Sequence, residues 1–261
     1  MERELKNISD GFLYGYGLFE TVKIENNHPK NLEKHFERLA SSCKTLNMNM
    51  DFDYEKFQNI FLDEIEKNRI EKNKIENFSE ENYILRISFV KDGDSTKYFF
   101  NKRKNPYDLK SYENGFKLTI SQVRRDSNSI LVYHKTLNYM ENLLSLSAAK
   151  SKNFNEILFF NEKNYLCEGA ISNVFLMKNG IIYTPKVSNG LLKGVMRDEV
   201  IKRLNDQGIE VVEDNINMQF LLDSDGVFIT NSILGIMKVI QIDDKKYSGK
   251  LVEELKAKLK L

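Results

Sequence analysis

The spacing of apolar and polar residues changes several times along the chain, and each change predicts a new element. Near the N-terminus "LFETVKI" alternates with a period of two, which predicts a strand, and "ENNHP" has the Asn and Pro typical of a hairpin turn. The next segment places Leu32, Phe36, Leu39 and Cys43 at helical spacing. The chain is therefore predicted to begin with a β-hairpin followed by an amphipathic helix.

A second helix and two more strands complete the N-terminal region. "YEKFQNIFLDEIEKNRI" has helical spacing, "YILRISFV" and "KYFFN" predict strands, and the polar stretch "EKNRIEKNKIENFSEENY" predicts a loop. "PYDLKSYENG" has no periodicity, and we place an interdomain linker at residues 109–117. Residues 1–108 are thus predicted to form a small N-terminal α+β domain.

The remaining residues, 118–261, alternate strands and helices and are predicted to form a larger C-terminal α/β domain. "MENLLSLSAAKSK" predicts a helix with Leu143, Leu146 and an alanine pair facing inward, and "VMRDEVIKRLNDQG" predicts a helix that stops at Gly208. The predicted strands are "FKLTISQV", "EILFFN", "YLCEGAISNVFLMKN", "GIIYTP" and "GVFITNS". The whole pattern predicts an α/β (α+β) fold of two domains.

Composition restricts the class of partner. Lys+Arg 39 against Asp+Glu 38 gives a formal net charge of +1, so neither nucleic acid nor a membrane surface is expected. The isolated Cys43 and Cys167 indicate reduced thiols in a cytoplasmic protein, and the chain has no signal-peptide core or long apolar run. The three histidines are scattered, so no metal site is expected. A small-molecule substrate is the expected partner.

Residues from both halves match the chemical needs of pyridoxal phosphate. This cofactor requires a lysine amine for covalent attachment, a carboxylate beside its ring nitrogen, and a phosphate site. Lys135 in "YHKTLNYMEN" offers the amine and Glu168 in "LCEGAISN" offers the carboxylate. A solvated lysine and an exposed turn carboxylate remain the alternative interpretations of these two residues.

A phosphate site needs an arginine, a hydroxyl and the amides of a helix N-terminus. "GLLKGVMRDEV" predicts a helix whose first amides, those of Val195 and Met196, are available to an anion. Arg38 in "HFERL" offers the guanidinium, while Asn231 and Ser232 follow the predicted strand in "ITNSILG". An ordinary loop-to-helix junction, an exposed arginine and a polar loop would account for the same residues.

Six stretches, taken in order and at their spacing, resemble the motifs of the class IV aminotransferase family, the fold-type IV pyridoxal-phosphate enzymes. They are "GYGLFETVKI", "HFERLASS", "HKTLNYMENLL", "EGAISNVFL", "GLLKGVMR" and "ITNSILGIMKV". The resemblance covers nearly the whole chain and implies a two-domain fold like that of D-amino-acid aminotransferase, pyridoxal 5'-phosphate as cofactor, and a homodimer. Within the family, "GLFET", "KTLNYMEN" and "TNSILGIMKV" are most similar to the aminodeoxychorismate lyases.

The resemblance also implies a role for each candidate residue by its position. Lys135 matches the lysine that binds the cofactor, and Glu168 matches the partner of the pyridine nitrogen. Tyr139 lies one residue from the position of a tyrosine that contacts the phenolic oxygen of the cofactor in branched-chain enzymes. The residues that match the phosphate-binding positions are Arg38, Val195, Met196 and Ser232.

Three functions remain open from the sequence. The first, by resemblance, is a 4-amino-4-deoxychorismate lyase, which eliminates pyruvate to give 4-aminobenzoate for folate biosynthesis. Arg86 in "YILRISFV" is then our first candidate for binding a substrate carboxylate and Arg103 the second, while an ordinary strand charge remains the alternative interpretation of Arg86. The second is a class IV aminotransferase that acts on branched-chain or D-amino acids with 2-oxoglutarate. The third is a non-catalytic binding protein of the same fold, which the presence of Lys135 disfavours.

Overall fold

The computed structural model describes residues 9–72 and 82–259. The chain divides into two compact units. The first comprises Met1–Pro106 together with Lys135–Asn138, and the second comprises Tyr107–His134 and Tyr139–Leu261. The candidate lysine therefore belongs to the first unit, although the sequence pattern assigned it to the C-terminal domain.

An antiparallel sheet of four strands organises the first unit. The order across the sheet is β2-β1-β3-β4. Asn26 and Asn27 link β1 to β2 with φ of 51° and 61°, as a tight hairpin turn requires. The elements are α1 (Asp10–Tyr14), β1 (Gly17–Glu25), β2 (His28–Pro29), α2 (Leu32–Thr45), α3 (Tyr54–Lys72), β3 (Tyr83–Asp92) and β4 (Ser95–Arg103).

One face of this sheet packs against α2 and α3. Alternate residues of β1, Leu18, Val22 and Ile24, are buried in a core that includes Phe57 and Phe61 of α3. Strand alternation puts Glu20 in the same inward series. The sheet therefore carries a carboxylate into the layer where its helices pack.

Helix α3 continues further than the sequence pattern predicts. It reaches Lys72, so the beginning of the polar stretch predicted as a loop is helical, because Glu, Lys and Arg all favour helix. The rest of that stretch, residues 73–81, lies outside the described residues.

The second unit is built on a mixed sheet of nine strands. The order is β10-β9-β8-β11-β12-β5-β6-β7, with β13 paired to β12. The strands are β5 (Phe116–Arg125), β6 (Glu156–Asn161), β7 (Leu166–Gly169), β8 (Asn173–Lys178), β9 (Ile181–Pro185), β10 (Val211–Asp214), β11 (Gly226–Asn231), β12 (Gly235–Ile242) and β13 (Lys245–Lys246). The helices are α4 (Leu109–Asn114), α5 (Met140–Ser151), α6 (Val195–Asp206), α7 (Met218–Leu222) and α8 (Lys250–Leu259).

Both faces of the central strands are buried. In β11, Val227 and Ile229 enter one core cluster, whereas Phe228 enters another with α6 and α8. Such burial explains why these strands are continuous apolar runs in the sequence. It also fixes the ends of β7, β8 and β11, which carry the candidate site residues of this unit.

Two sequence expectations for the second unit require correction. Residues 109–117 contain α4 and the start of β5, because Asp108 caps the helix by accepting from Ser111 N at 2.8 Å and Gly115 ends it at φ 68°. In α5, Leu146 is buried as predicted, but the Leu143 side chain is 56% exposed. The face of α5 that packs on β6 is the one that carries Leu146 and Ala149.

Within the described ranges, no helix combines the length and apolarity needed to cross a bilayer. The same residues contain no group of three or more His, Cys, Asp or Glu side chains arranged to hold a metal ion. Cys43 and Cys167 are buried free thiols.

Candidate active site

Lys135 is held in place by pairing of its backbone with β1. The amide of Phe19 donates to Lys135 O at 2.9 Å, and the amide of Leu137 donates to Gly17 O at 2.9 Å. A Cβ at Gly17 would lie 2.4 Å from Phe89 O and 2.5 Å from the Leu137 side chain, so this approach requires glycine. The lysine is therefore fixed to a strand of the first unit rather than carried on a free loop.

The Phe19 side chain brings two cations to the face of the sheet opposite the core. Lys135 Nζ lies 4.4 Å from the centroid of the Phe19 ring, and Arg86 Cζ lies 3.8 Å from it. Arg86 Nε also donates to Ser88 Oγ at 3.2 Å. Because an aromatic face attracts cations, this ring sets the positions of both the predicted lysine and the predicted substrate arginine.

Arg38 is largely removed from solvent and forms an ion pair with Glu20. Its Nε donates to Glu20 Oε1 at 2.8 Å and its Nη2 donates to Glu20 Oε2 at 2.6 Å. His35 Nδ1 lies 2.7 Å from Glu20 Oε2. The Arg38 side chain is only 14% exposed and the other two are 1% exposed, so Arg38 is not the solvated helix charge that the sequence left open.

The charges of this cluster follow from burial and pairing. Burial by itself would raise the pKa of Glu20, but Arg38 and His35 outweigh it and lower the pKa to about 2. Burial lowers the pKa of His35 against the opposing effect of Glu20. His35 is therefore neutral near pH 7, and its Nδ1–H donates to the ionised Glu20 carboxylate.

Glu168 is the penultimate residue of β7 in the second unit and is 9% exposed. Its Oε2 accepts a hydrogen bond from Leu192 N at 3.1 Å and a longer one from Asn173 Nδ2 at 3.5 Å. The same Asn173 amide donates to Leu192 O at 2.8 Å. The Glu168 carboxylate is thus buried and oriented, not an exposed turn residue.

Helix α6 begins directly after Gly194. No side chain of the described residues caps this end, so the first-turn amides of Val195 and Met196 have no partner within the helix. A Cβ on Gly194 would lie 2.0 Å from Asn173 Oδ1. Asn173 therefore packs directly on the start of α6 and connects it to Glu168.

The loop after β11 is shaped by Asn231. Its Oδ1 accepts from the amides of Ile233 and Leu234, both at 2.9 Å, and its Nδ2 donates to Ile171 O at 3.1 Å. The half-buried Ser232 follows it. Among the residues that the structure describes, the Thr230 hydroxyl is buried without a hydrogen-bond partner.

Tyr139 lies immediately before α5, and its hydroxyl donates to Ala170 O at 2.7 Å. Burial raises the pKa of Tyr139 most strongly, and the negative charges of Glu168 and Glu156 raise it further. The phenol is therefore a neutral hydrogen-bond donor. The structure brings Tyr139 to the turn that follows Glu168.

Sequence reasoning missed three polar residues, Glu20, His35 and Glu156, all of which are 1% exposed. Each of these residues lies within or beside an otherwise apolar pattern in the sequence, and that position could have identified it as buried. Glu20 interrupts the inward series of β1, His35 lies beside the apolar stripe of α2, and Glu156 opens the wholly buried β6. A charged or polar residue in an inward position must find a partner, which predicts a buried network.

Comparison with known proteins agrees with this architecture. The family model described as "Amino-transferase class IV" matches residues 17–242. The putative branched-chain-amino-acid aminotransferase of Methanocaldococcus jannaschii is 30% identical, over 96% of this chain and 86% of that protein. The aminodeoxychorismate lyase of Bacillus subtilis is 28% identical, over 97% of this chain and 86% of that protein.

A solved structure confirms the predicted fold. The putative 4-amino-4-deoxychorismate lyase of Legionella pneumophila superposes with a TM-score of 0.87 at 24% identity, covering 100% of this chain and 97% of that one. The match extends over both units. Together with the six ordered motifs, these findings identify the chain as an enzyme that belongs to the class IV aminotransferase family.

Proposed function

We propose that the protein is a pyridoxal-phosphate-dependent 4-amino-4-deoxychorismate lyase that releases pyruvate and forms 4-aminobenzoate. The observation that carries the proposal is the position of Lys135, whose Nζ lies over the same Phe19 ring as the Arg86 guanidinium, at 4.4 Å and 3.8 Å from the ring centroid respectively. This arrangement offers an amine for chemistry and a second cation for a substrate carboxylate.

The donor groups present fit pyridoxal phosphate. The Lys135 amine matches the aldehyde and the buried Glu168 carboxylate matches the ring nitrogen. The largely buried Arg38 guanidinium and the uncapped N-terminus of α6 both match the phosphate. The unpartnered Thr230 hydroxyl, near the end of β11 and two residues before Ser232, is a polar group that a bound anion would satisfy. The cofactor assignment rests on this donor set.

Each residue then has a defined task. Lys135 would bind the cofactor covalently, and Glu168 would hold a proton on the ring nitrogen. The groups that would bind the phosphate are the Arg38 guanidinium, the Val195 and Met196 amides and the Ser232 hydroxyl. Asn231 shapes the loop that presents Ser232, because both ends of its amide are already hydrogen-bonded to backbone.

Pyridoxal phosphate, when bound, supplies an electron-withdrawing ring that acidifies the substrate C–H bond next to the amine. Once the amine of the substrate has displaced Lys135 from the cofactor, Lys135 Nζ would be free to take this proton as the general base. Backbone pairing with β1 holds the lysine in place during the transfer. Departure of enolpyruvate from the neighbouring carbon leaves the aromatic ring of 4-aminobenzoate, and enolpyruvate gains a proton to become pyruvate.

The substrate of this lyase bears two carboxylates, which makes an arginine near the reacting centre useful. Arg86 meets this need because it shares the Phe19 ring with Lys135. A guanidinium binds a carboxylate through two parallel hydrogen bonds, which orients the substrate as well as attracting it.

The alternative is an aminotransferase acting on branched-chain or D-amino acids with 2-oxoglutarate. The 30% identity to a putative branched-chain-amino-acid aminotransferase favours it. The same Lys135 would remove the same proton and return it to a different carbon. The two functions therefore differ in the fate of the substrate and not in the base.

A product assay distinguishes the two functions. The purified protein, loaded with pyridoxal phosphate, is given aminodeoxychorismate alone, and separately a panel of amino acids with 2-oxoglutarate. If the protein is the lyase, aminodeoxychorismate alone should give equal amounts of pyruvate and 4-aminobenzoate, with no 2-oxoglutarate added. Glutamate formation from the panel, with no 4-aminobenzoate from aminodeoxychorismate, would overturn the proposal in favour of the aminotransferase.

Arg86→Gln tests the substrate assignment in the same assay. We expect KM for aminodeoxychorismate to rise about tenfold or more, since a charge-assisted hydrogen bond is lost. The matched control is Lys102→Gln, because Lys102 lies over another ring, that of Tyr83, at 4.5 Å. An Arg86 variant with the wild-type KM would remove this residue from the substrate site.

We also propose that the protein is a homodimer. Helix α5 presents three large apolar side chains at helical spacing: Met140 is 74% exposed, Leu143 is 56% exposed and Leu144 is 63% exposed. Burial of such side chains against a second copy would remove their apolar surface from water. Sedimentation of the wild type and of Leu144→Lys tests this, and a monomeric wild type would exclude it.

A further inference from the structure

Glu156 is a buried carboxylate with an unusual set of partners. It is 1% exposed, and no lysine, arginine or histidine within the described ranges forms an ion pair with it. Its Oε1 accepts from the amides of Ile157 at 2.9 Å and Ala170 at 3.1 Å. Its Oε2 accepts from the amide of Ile171 at 3.1 Å and from Ser172 Oγ at 2.9 Å.

These contacts explain why a carboxylate is needed at this position. Each of the two oxygens accepts two hydrogen bonds, and only a carboxylate offers two acceptor oxygens on one side chain. Glutamine of the same size would place an amide N–H₂ against at least one backbone N–H. Burial raises the pKa of Glu156 despite these four hydrogen bonds. Keeping an ionised carboxylate at this buried position therefore costs free energy of folding.

Three of the four groups bound by Glu156 lie in the 169–172 turn, which joins β7 to β8: the amides of Ala170 and Ile171 and the Ser172 hydroxyl. The carbonyls of this turn are also bound: Ala170 O accepts from Tyr139 Oη and Asn142 Nδ2, both at 2.7 Å, and Ile171 O accepts from Asn231 Nδ2 at 3.1 Å. A Cβ on Gly169 would lie 3.0 Å from the Glu156 carboxyl. Side chains from three elements therefore converge on one turn.

The two ends of the turn carry groups of the candidate site. Glu168 precedes it, and Asn173 follows it and packs on Gly194 at the start of α6. A shift of the turn would move the Glu168 carboxylate away from Leu192 N and the Asn173 side chain away from α6. Both groups depend on the turn for their positions.

The geometry points to Glu156 as the positioning residue that fixes the 169–172 turn and, through it, the Glu168 carboxylate and the start of α6. The functional part of this inference rests on the proposed function, in which Glu168 serves the ring nitrogen of the cofactor. Glu156 itself touches only the protein.

Hydrogen exchange of the protein without added cofactor tests the structural part. In Glu156→Gln we expect the amides of 166–173, and that of Leu192, to exchange about tenfold faster, because a buried acceptor has been removed. The control is Thr184→Val, which removes another buried hydrogen bond of the same sheet, from Thr184 Oγ1 to Val174 O at 2.9 Å. It should lower the thermal midpoint without changing exchange at 166–173.

The absorption of bound pyridoxal phosphate, followed against pH, tests the functional part. The midpoint of its pH dependence should move in Glu156→Gln in the same direction as in Glu168→Gln, and should stay at the wild-type value in Thr184→Val. If Glu156→Gln fails to fold, Ser172→Ala replaces it, with a smaller shift in the same direction.

Two outcomes overturn the inference. The first is that amides 166–173 of the Glu156 or Ser172 variant exchange at the wild-type rate. The second is that the variant loses thermal stability as Thr184→Val does, but its cofactor absorption keeps the wild-type pH midpoint. A wild-type protein that binds no pyridoxal phosphate would instead refute the proposed function. The exchange experiment would still decide whether Glu156 fixes the turn.

Discussion

Arg38 and Glu20 form two parallel hydrogen bonds inside the first unit, Nε to Oε1 at 2.8 Å and Nη2 to Oε2 at 2.6 Å. The pair joins α2 to β1 and leaves the guanidinium only 14% exposed. The rigid fork of the guanidinium matches the two oxygens of the Glu20 carboxylate, which fixes the orientation of Arg38.

Replacing Glu20 by Gln should destabilise the protein strongly. The substitution leaves the buried Arg38 charge without its counterion, which typically costs about 3 kcal/mol. Urea unfolding measures this loss. Glu66→Gln is the matched control, since it breaks an Arg69 pair exposed at the surface and should change stability far less. Equal losses of stability in the two variants would contradict the expectation that burial makes the Glu20–Arg38 pair more costly to break.

The pH dependence of stability should carry the signature of His35. Burial lowers the pKa of His35 below its ordinary 6.5, so the unfolded chain binds a proton that the folded protein does not. Stability therefore falls as the pH drops through the ordinary histidine pKa of 6.5. Glu20 adds a second loss at lower pH, from its ordinary pKa of 4.5 down to about 2.

His35→Asn should flatten the upper part of this pH profile, because asparagine keeps a donor near Glu20 but does not titrate. The slope between pH 5 and 7 should decrease by up to about 1.4 kcal/mol per pH unit. His134, whose pKa burial also lowers, keeps part of the slope. His28→Asn, at an exposed hairpin position, is the control, and an unchanged slope in His35→Asn would contradict the prediction.

Gly194→Ala should weaken cofactor binding without requiring a new backbone conformation. Gly194 has φ −75°, which alanine adopts freely, but the new Cβ would meet Asn173 Oδ1 at 2.0 Å. We expect about a tenfold loss of affinity for pyridoxal phosphate, measured by titration of its absorbance, because Asn173 must move away from α6. Gly226→Ala, whose nearest contact is Met177 Sδ at 3.5 Å, should bind normally.

Lys135→Ala should abolish turnover and the absorption band of the bound cofactor while the far-ultraviolet circular dichroism stays unchanged. Lys150→Ala, on the exposed surface of α5, is the control for loss of a positive charge. Glu168→Gln should retain the cofactor but lower kcat, by about 100-fold or more if the carboxylate stabilises developing charge. Wild-type turnover in the Lys135 variant would refute the assignment of the base.

Both thiols should be unreactive in the folded protein. Burial raises the pKa of Cys43 to about 11. Burial, together with a smaller effect of the Glu168 charge, raises the pKa of Cys167 to about 12. Very little thiolate is present near pH 8, and reaction requires thiolate. Labelling with an aromatic disulfide should be slow in buffer and fast in urea. Rapid labelling of the native protein would contradict the burial of both side chains.

Most helices and strands could be predicted from local sequence, because the spacing of apolar residues within each element is enough to identify it. The period of two in β1, the helical stripe of α2 and the apolar runs of β8 and β11 each identify an element without reference to its neighbours. Helix α4 was missed because six residues are too few to show a period. The exposure of Leu143 was missed because α5 is apolar on more than one side, and only packing selects which side is buried.

The candidate site divides in the same way. The residue types and the order of the motifs predict Lys135, Glu168 and Arg38 as site residues, because the chemistry of the proposed cofactor restricts which side chains can serve it. The positions of these groups depend on partners distant in sequence: Lys135 on β1, Arg38 on Glu20, and Glu168 on Leu192. The sequence therefore determined the elements and the chemical groups, while tertiary structure decided their burial and orientation, because those follow from long-range hydrogen bonds that no local pattern encodes.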